Sequence, residues 1–419
     1  MRKYDSYKDS GLEWIGEIPK NWECVRLGML GSFSSSGIDK KLNDDEFPVR
    51  MVNFTDLIQS RNYFPVQTGE KDYMKVTTPY SKFLEHKLNK GDMVFIPSSE
   101  THEDLGYSSL IDFDEDDVVY SYHILRFRPY REIYHYFKKY LINHHSVLNQ
   151  FSSEGKGTTR QIIGRNVFNN IRVILPPLFE QQQIVSYLDT KTSMIDSLIE
   201  KTQRKIELLK EKRLSLIEKV LFNNGINWIR LQYGVELINR PIERQKQSFN
   251  KIGLYNWGRG IFKYDEEIGD ELGDSEFSLI KEGDLILSGQ FSWEGAIAIV
   301  EKEFEDCIAS HRFHILRGKK DILITEYIWA YLTSQEGHFI LDNNSVGSAG
   351  RNRPLNIGKL LKEKIPCPDI NTQMEVREIV LIERKFQQYS EKLITLLKEY
   401  RQSLISEVVT GKRKVTTDD

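Results

Sequence analysis

The chain has 419 residues, of which 39% are hydrophobic, 28% charged and 11% aromatic, with a formal net charge of −3. Its 21 Phe, 20 Tyr and 6 Trp exclude a disordered chain, and its length exceeds a single domain of about 100–200 residues, so two or three are expected. The near-neutral charge does not itself point to nucleic acid, because phosphate neutralisation favours strongly basic chains.

At the N-terminus, Met1-Arg-Lys-Tyr-Asp5 lacks the apolar stretch of a secretory signal. No window holds the roughly 18 uncharged apolar residues of a membrane helix. Cys24, Cys307 and Cys367 are too few and too scattered for a disulfide framework or a Cys-based zinc site. The expected setting is cytoplasmic, without a membrane.

An internal repeat then organises the chain. Trp22-Glu-Cys-Val-Arg26-Leu27 returns approximately as Trp228-Ile-Arg230-Leu231, and Lys90-Gly91-Asp92 before an apolar run returns as Glu282-Gly283-Asp284. Ser121-Tyr-His123-Ile-Leu-Arg126 is matched by Arg312-Phe-His314-Ile-Leu-Arg317. Gly157-Thr-Thr-Arg160 is matched by Gly350-Arg351-Asn352-Arg353, and Ile174-Leu-Pro176-Pro177 by Ile365-Pro366-Cys-Pro368. The pairs are collinear with a period of about 200 residues, too long for a solenoid, so they read as two copies of one domain. Short β-prone runs at 94–96, 118–120, 123–126, 284–287 and 296–300 predict strands, and 134–148 and 325–341 predict helices inside each copy.

Each copy ends in a long helical pattern. From Phe179 to Phe222, residues Ile195, Ile199, Thr202, Ile206, Leu209, Leu216 and Val220 keep the four-and-three spacing of a coiled-coil seam, interrupted by Arg213. From Thr372 to Thr410, the predicted seam is Phe386, Ser390, Leu393, Leu397, Tyr400 and Leu404, with Gly411 as a stop. Helices about 60 Å long could not bury such stripes alone, so antiparallel packing on each other is expected. The fold class is α/β (α+β): two repeated globular domains separated by two long helices packed as an antiparallel coiled coil with pseudo-twofold symmetry. The expected boundaries are 1–175 and 225–368 for the globular domains, 176–224 and 369–412 for the helices, and 413–419 for a tail.

Catalytic motifs are missing. There is no Gly-x-x-x-x-Gly-Lys-Ser/Thr loop, no Gly-x-Gly-x-x-Gly after a strand and no His-Glu-x-x-His. Leu175-Pro176-Pro177-Leu178 resembles the Pro-Pro loop of adenine methyltransferases, yet Leu175 cannot accept from a target amino group, so the prolines read as a helix start. Pro368-Asp369 with Glu383-Arg-Lys385 echoes a nuclease metal site, but Glu383 and Lys385 lie in a helical pattern and point to different faces.

What remain are polar loops at matching places. Lys156, Thr158, Thr159 and Arg160 in the first copy, and Ser345, Ser348, Arg351, Asn352 and Arg353 in the second, combine close-approach glycines with donors suited to phosphate or base edges. Arg50 and Asn53, and Trp257 and Arg259, are further candidates. Ser98, Thr101 and His102, and Gln290 and Trp293, follow the Gly-Asp strand in each copy. Divergence just after shared framework suits two binding modules with different targets, and equally neutral loop drift. The basic skew of Lys201 to Lys219 suits acidic partners or, as is more common, a solvated coiled-coil face.

Three stretches resemble specificity subunits of type I restriction-modification enzymes: Tyr7-Lys-Asp-Ser-Gly-Leu-Glu-Trp14-Ile-Gly-Glu-Ile-Pro19, Leu175-Pro-Pro-Leu-Phe-Glu-Gln181 with the Ile-Asp196 helix, and Leu404-Ile-Ser-Glu-Val-Val-Thr-Gly-Lys412. The second copy departs mildly, with Asp369-Ile-Asn-Thr-Gln373 where the family has a Pro-Pro…Glu-Gln form. The resemblance implies target recognition domains, each reading half of a split, asymmetric double-stranded DNA site, with the helices as spacer. It implies no catalysis and no cofactor on this chain. Two methylating subunits carrying S-adenosylmethionine, and two translocase-nuclease subunits using ATP and Mg²⁺, would be the partners. A non-catalytic adaptor with duplicated protein-binding domains is the alternative that the sequence leaves open.

Overall fold

The computed structural model describes residues 3–60, 65–223, 225–243, 248–272, 275–347 and 353–416. Two compact units divide the chain, Met1–Glu200 with Leu393–Asp419 and Lys201–Lys392, so each long helix contributes to both.

In the first unit, Gly31–Ser34, Leu125–Pro129, Met93–Phe95, Ser108–Ile111 and Val66–Gln67 form a five-stranded sheet in that order. Met93, Val94 and Phe95 are all buried, because both faces of this central strand are covered and a continuous apolar run is then favoured. A second sheet has the order Val118–Tyr120, Phe47–Val52, Met74–Thr78. Phe33, Phe95, Phe127, Phe151 and Phe168 fill the main core with tilted and edge-to-face rings.

The second unit repeats the plan. Val235–Leu237, Phe313–Gly318, Leu285–Ser288 and Ile297–Ile299 form one sheet, and Ile261–Ile268, Ser248–Leu254, Ile308–Ser310 and Phe277–Leu279 the other. In each copy an antiparallel strand pair closes the domain, Glu23–Arg26 on Arg172–Leu175 and Asn227–Arg230 on Lys364–Cys367.

The long helices span Leu178–Leu221 and Ile370–Val409. Their antiparallel sense is visible in each unit separately. In the first unit Asp196 meets Arg401 at 3.3 Å, and in the second Arg213 meets Glu383 at 2.7 Å. The predicted stripe on the first helix faces inward. On the second helix the stripe runs instead through Val376, Val380, Glu383, Ser390, Ile394, Leu397, Arg401, Leu404 and Val408. Leu393 and Tyr400, expected inside it, are 41% and 53% exposed. The helices are not detached spacers. Ile184, Leu188, Leu404 and Val408 belong to the first domain's core, and Ile217, Val376 and Val380 to the second's.

One glutamine fixes each helix start. Buried Gln181 donates to the Pro176 carbonyl (2.7 Å) and accepts from the Tyr134 amide (2.8 Å). Buried Gln373 donates to the Pro368 carbonyl (2.9 Å) and accepts from the Ile324 amide (2.9 Å). The departure noted around Asp369 therefore leaves the contact intact. Asp369 itself caps the helix, accepting from the Thr372 amide at 3.0 Å, and Glu383 is bound to Arg213, so the nuclease-like residues are scaffold.

Candidate nucleic-acid interface

A shared frame carries the candidate loops. Gly91 and Gly283 adopt φ of 93° and 84°, which turns the chain so that the following aspartate points inward. Asp92 then pairs with Arg128 at 2.7 Å, and Asp284 pairs with Arg240 at 2.6 Å and Arg317 at 2.8 Å. Strand register makes Arg128 the counterpart of Arg317, since Phe127 faces Met93 as Leu316 faces Leu285. The sequence match of Arg126 with Arg317 is thus displaced by two residues. Arg126 is instead buried over the Tyr120 ring, donating to the Glu85 and Lys87 carbonyls. Trp22 and Trp228 are likewise not counterparts. Trp22 is buried and donates to Glu180 at 3.0 Å, whereas Trp228 lies within the closing strand and is 43% exposed.

In the first copy the strand Gln161–Ile162 pairs with Ser98–Ser99 and so brings two candidate loops together. Gly157 makes this possible. At φ 134°, a Cβ on it would sit 2.1 Å from the Arg160 carbonyl oxygen. Lys156, Thr158, Thr159 and Arg160 are exposed. Arg160 reaches Ser98 Oγ at 3.2 Å and lies 6.0 Å over the Phe54 ring. Thr101 and His102 are exposed beside Ser98, Thr101 bonding to Asp104.

Arg50 and Asn53 make their contacts within the domain. Arg50 grips Asp117 through two hydrogen bonds of 2.8 and 2.6 Å and Glu115 through a third at 2.7 Å. The guanidinium's hydrogen bonds hold the Asp117 carboxyl below the usual range. Asn53 is buried and caps the helix Phe54–Ser60, accepting from the Thr55 amide at 2.9 Å while Asp56 accepts from the Asn53 amide at 2.8 Å. The Arg50 guanidinium is thus engaged within the domain, and Asn53 is buried with its carboxamide oxygen committed to the helix cap. Sequence reasoning missed Tyr122 and His123, which sit in the loop before the Leu125 strand. Tyr122 is 46% exposed, and burial followed by the nearby Arg160 charge lowers the His123 pKa. The displaced motif match had assigned them to framework.

In the second copy Leu355 donates to the Gly289 carbonyl as Ile163 donates to that of Pro97. Arg353 therefore corresponds to Gln161, not to Arg160. It points inward, pairing with Asp342 at 2.8 Å and lying 4.8 Å over Trp293. Ser345 is fully buried and cannot reach a ligand directly. Ser348, Arg351 and Asn352 lie outside the described residues. Gln290 is half-buried, its carbonyl accepting from Trp293 Nε1 at 3.1 Å. Trp257 is 71% exposed and stacks on His338, with Arg259 lying over Tyr255. His338 and Phe339, which no motif flagged, complete an open groove with Trp257, Trp293, Asp342 and Arg353.

Among the described residues no group of His, Cys, Asp or Glu is placed to hold a metal ion, and no helix is long and apolar enough to cross a membrane.

Residues 19–208 and 235–399 match the family model described as type I restriction modification DNA specificity domain. Over 215 residues, 51% of this chain, it is 26% identical to a Methanocaldococcus jannaschii protein named as a putative type I restriction enzyme MjaX specificity subunit. A second relative from that organism, the type I restriction enzyme MjaVIII specificity subunit, is 36% identical over 74 residues, 18% of this chain and 16% of that protein. The chain spans about half the length of the first, 48%, and less of the second. A chain solved in work on complex assembly and conformational transition of the type I R-M system shares the fold, with TM-score 0.59 and 16% identity over 94% of this chain and 98% of that one. Matched by the family model once in each copy, the chain belongs to the type I restriction-modification DNA specificity domain family.

Proposed function

We propose that this chain supplies DNA sequence recognition to a type I restriction-modification complex. Each globular domain reads one half of a bipartite, asymmetric site, and the paired helices set the spacer between the halves. The observation that carries this reading is the repeated frame with unlike loops. Asp92–Arg128 and Asp284–Arg317 hold equivalent strands, while the loops that follow them differ in length, charge and aromatic content. A homodimeric reader would favour a palindrome, whereas two divergent readers in one chain favour unlike half-sites.

Contacts to DNA are assigned to Ser98, Thr101, His102, Lys156, Thr158, Thr159 and Arg160 in the first copy. In the second they are assigned to Trp257, Arg259, Gln290, Trp293 and Arg353, together with Ser348, Arg351 and Asn352. Two methylating subunits and, through them, two translocase-nuclease subunits would carry S-adenosylmethionine, ATP and Mg²⁺. They would also add the positive charge that a chain of net charge −3 does not provide. No reaction is assigned to this chain.

Methylation profiling of the host genome with and without the chain tests the reading. A split asymmetric motif should disappear on deletion and return on complementation. An unchanged methylome would refute it.

A further inference from the structure

Of the two described non-glycine residues with positive φ, one is Trp257, at 63°. A bulky side chain rarely adopts that conformation. The surrounding chain enforces it. The Trp257 amide donates to the Glu294 carbonyl at 2.9 Å, the Gly258 amide to Gly295 at 2.8 Å, and the Tyr255 amide to Gly260 at 3.0 Å. Gly258, Gly260 and Gly295 are themselves left-handed, and a Cβ on Gly295 would come within 3.2 Å of Trp257 Cα.

This construction does not bury the indole. Trp257 is 71% exposed, and its ring lies nearly parallel to that of His338, 14° apart with centroids at 5.9 Å. One ring partner at that exposure leaves the rest of the indole to solvent. A residue buried for stability would not need a strained, glycine-built turn that holds it outside. Phe339, 64% exposed, and the Arg353–Trp293 pair line the adjoining groove. Aromatic faces beside guanidinium groups suit the π-face of a nucleobase next to its phosphate.

Among the described residues the first copy shows no equivalent turn. Its strand Phe47–Val52 corresponds to Ser248–Leu254, each pairing with one antiparallel and one parallel neighbour, but it runs into the Asn53-capped helix.

We propose that Trp257 is the base-stacking element of the second reader, with His338 as its backing platform, so the two readers use different contact chemistry. This rests on the DNA-recognition reading above and specifies how one domain executes it. Stacking discriminates by shape and by ease of unstacking, so Trp257 would act at a flexible or opened step of the second half-site.

The test uses the full chain in complex with its methylating subunits and a duplex carrying the motif found by methylation profiling, with 2-aminopurine placed in turn along both half-sites. At one position of the second half-site, 2-aminopurine emission should be quenched in the wild-type complex relative to the W257G complex, and W257G should weaken binding by about tenfold to a hundredfold. It should also leave the melting temperature unchanged or higher, because glycine relieves the left-handed backbone. W257F should retain most affinity. Unchanged binding by W257G, or affinity lost in proportion to stability, would overturn the stacking role alone. A wild-type complex that ignores the motif duplex would overturn the DNA reading itself.

Discussion

The two copies show which parts of the repeat are held fixed and which are free to differ. Gln181 and Gln373 make the same pair of bonds at their helix starts, and Asp92 and Asp284 anchor the same strand position. After the strands Phe47–Val52 and Ser248–Leu254 the copies part, one into a capped helix and the other into the Trp257 turn. A frame of buried charge and backbone pairing tolerates exchange of what it carries, because the loops add little to the core.

The largest expected effect comes from comparing the helix seams. Arg213 and Glu383 are 3% and 7% exposed, and Arg213 also donates to Thr333 Oγ1 at 2.8 Å and lies over Trp329. Asp196 and Arg401 are about one-quarter exposed. Glu383→Ala leaves a buried guanidinium without its carboxylate and should cost about 4 kcal/mol in chemical denaturation. Asp196→Ala should cost less than about 1 kcal/mol, as exposed pairs do. Equal losses would show that the seams are equivalent after all.

A second difference predicts a pH dependence at one helix start and none at its counterpart. His144 occupies the N-cap of the helix His145–Glu154 without capping it through its side chain, and burial lowers its pKa to about 4. Its counterpart Ser334 caps Gln335–Asn343 by accepting from the Gly337 amide. The unfolded imidazole takes up a proton near pH 6.5 while the folded one stays neutral. The stabilisation is therefore complete above about pH 6.5 and is lost as pH falls toward 4, by about 3 kcal/mol. Denaturation of wild type and His144→Gln across that window should give curves whose difference has this slope. Parallel curves would remove His144 as the cause.

The frame aspartates give a smaller contrast. Buried Asp284 holds two arginines and buried Asp92 one, the arginines being partly open to water. Asp284→Ala should cost about 3 kcal/mol and Asp92→Ala about 2 kcal/mol, with solvent softening both. The reverse order would mean that Arg240 is not part of the frame.

Much of this was legible in the sequence, for reasons the residues make plain. Gly-Asp turns and Pro-then-Gln helix starts need particular side chains at fixed spacing, so duplication leaves them recognisable. The long helices follow from their periodicity. The second seam was misplaced at Leu393 and Tyr400 because its true positions include Glu383 and Arg401, and a stripe sought by apolarity passes over paired charges. Arg126 was matched to Arg317 because a slip of two residues keeps every side chain on its own face of a strand. Arg50, Asn53 and Ser345 have the side chains of a binding site, and only tertiary structure shows that they are spent or buried. Trp257 was selected for its type. Its left-handed backbone and His338 platform depend on Gly295 and on a helix some 80 residues away, which no local pattern reveals.

The finest contrast lies between the two arginines. Arg160 is exposed, lies over the Phe54 ring and is tethered to Ser98 by bonds of 3.2 and 3.4 Å that water can replace at little cost. Arg353 is bound to Asp342 and to the Ser345 carbonyl and lies over Trp293, so it shapes the second groove before any ligand arrives. Arg160→Ala should leave the melting temperature unchanged and weaken binding about tenfold, the scale of one guanidinium contact to a base or phosphate. Sequence changes in the first half-site should then matter less, and those in the second as before. Arg353→Ala should lower stability and affinity together and relax the second half-site. If Arg160→Ala relaxed both halves equally, one domain would not be reading one half. If Arg353→Ala left stability unchanged, its internal bonds would be incidental, and it would be as available to DNA as Arg160.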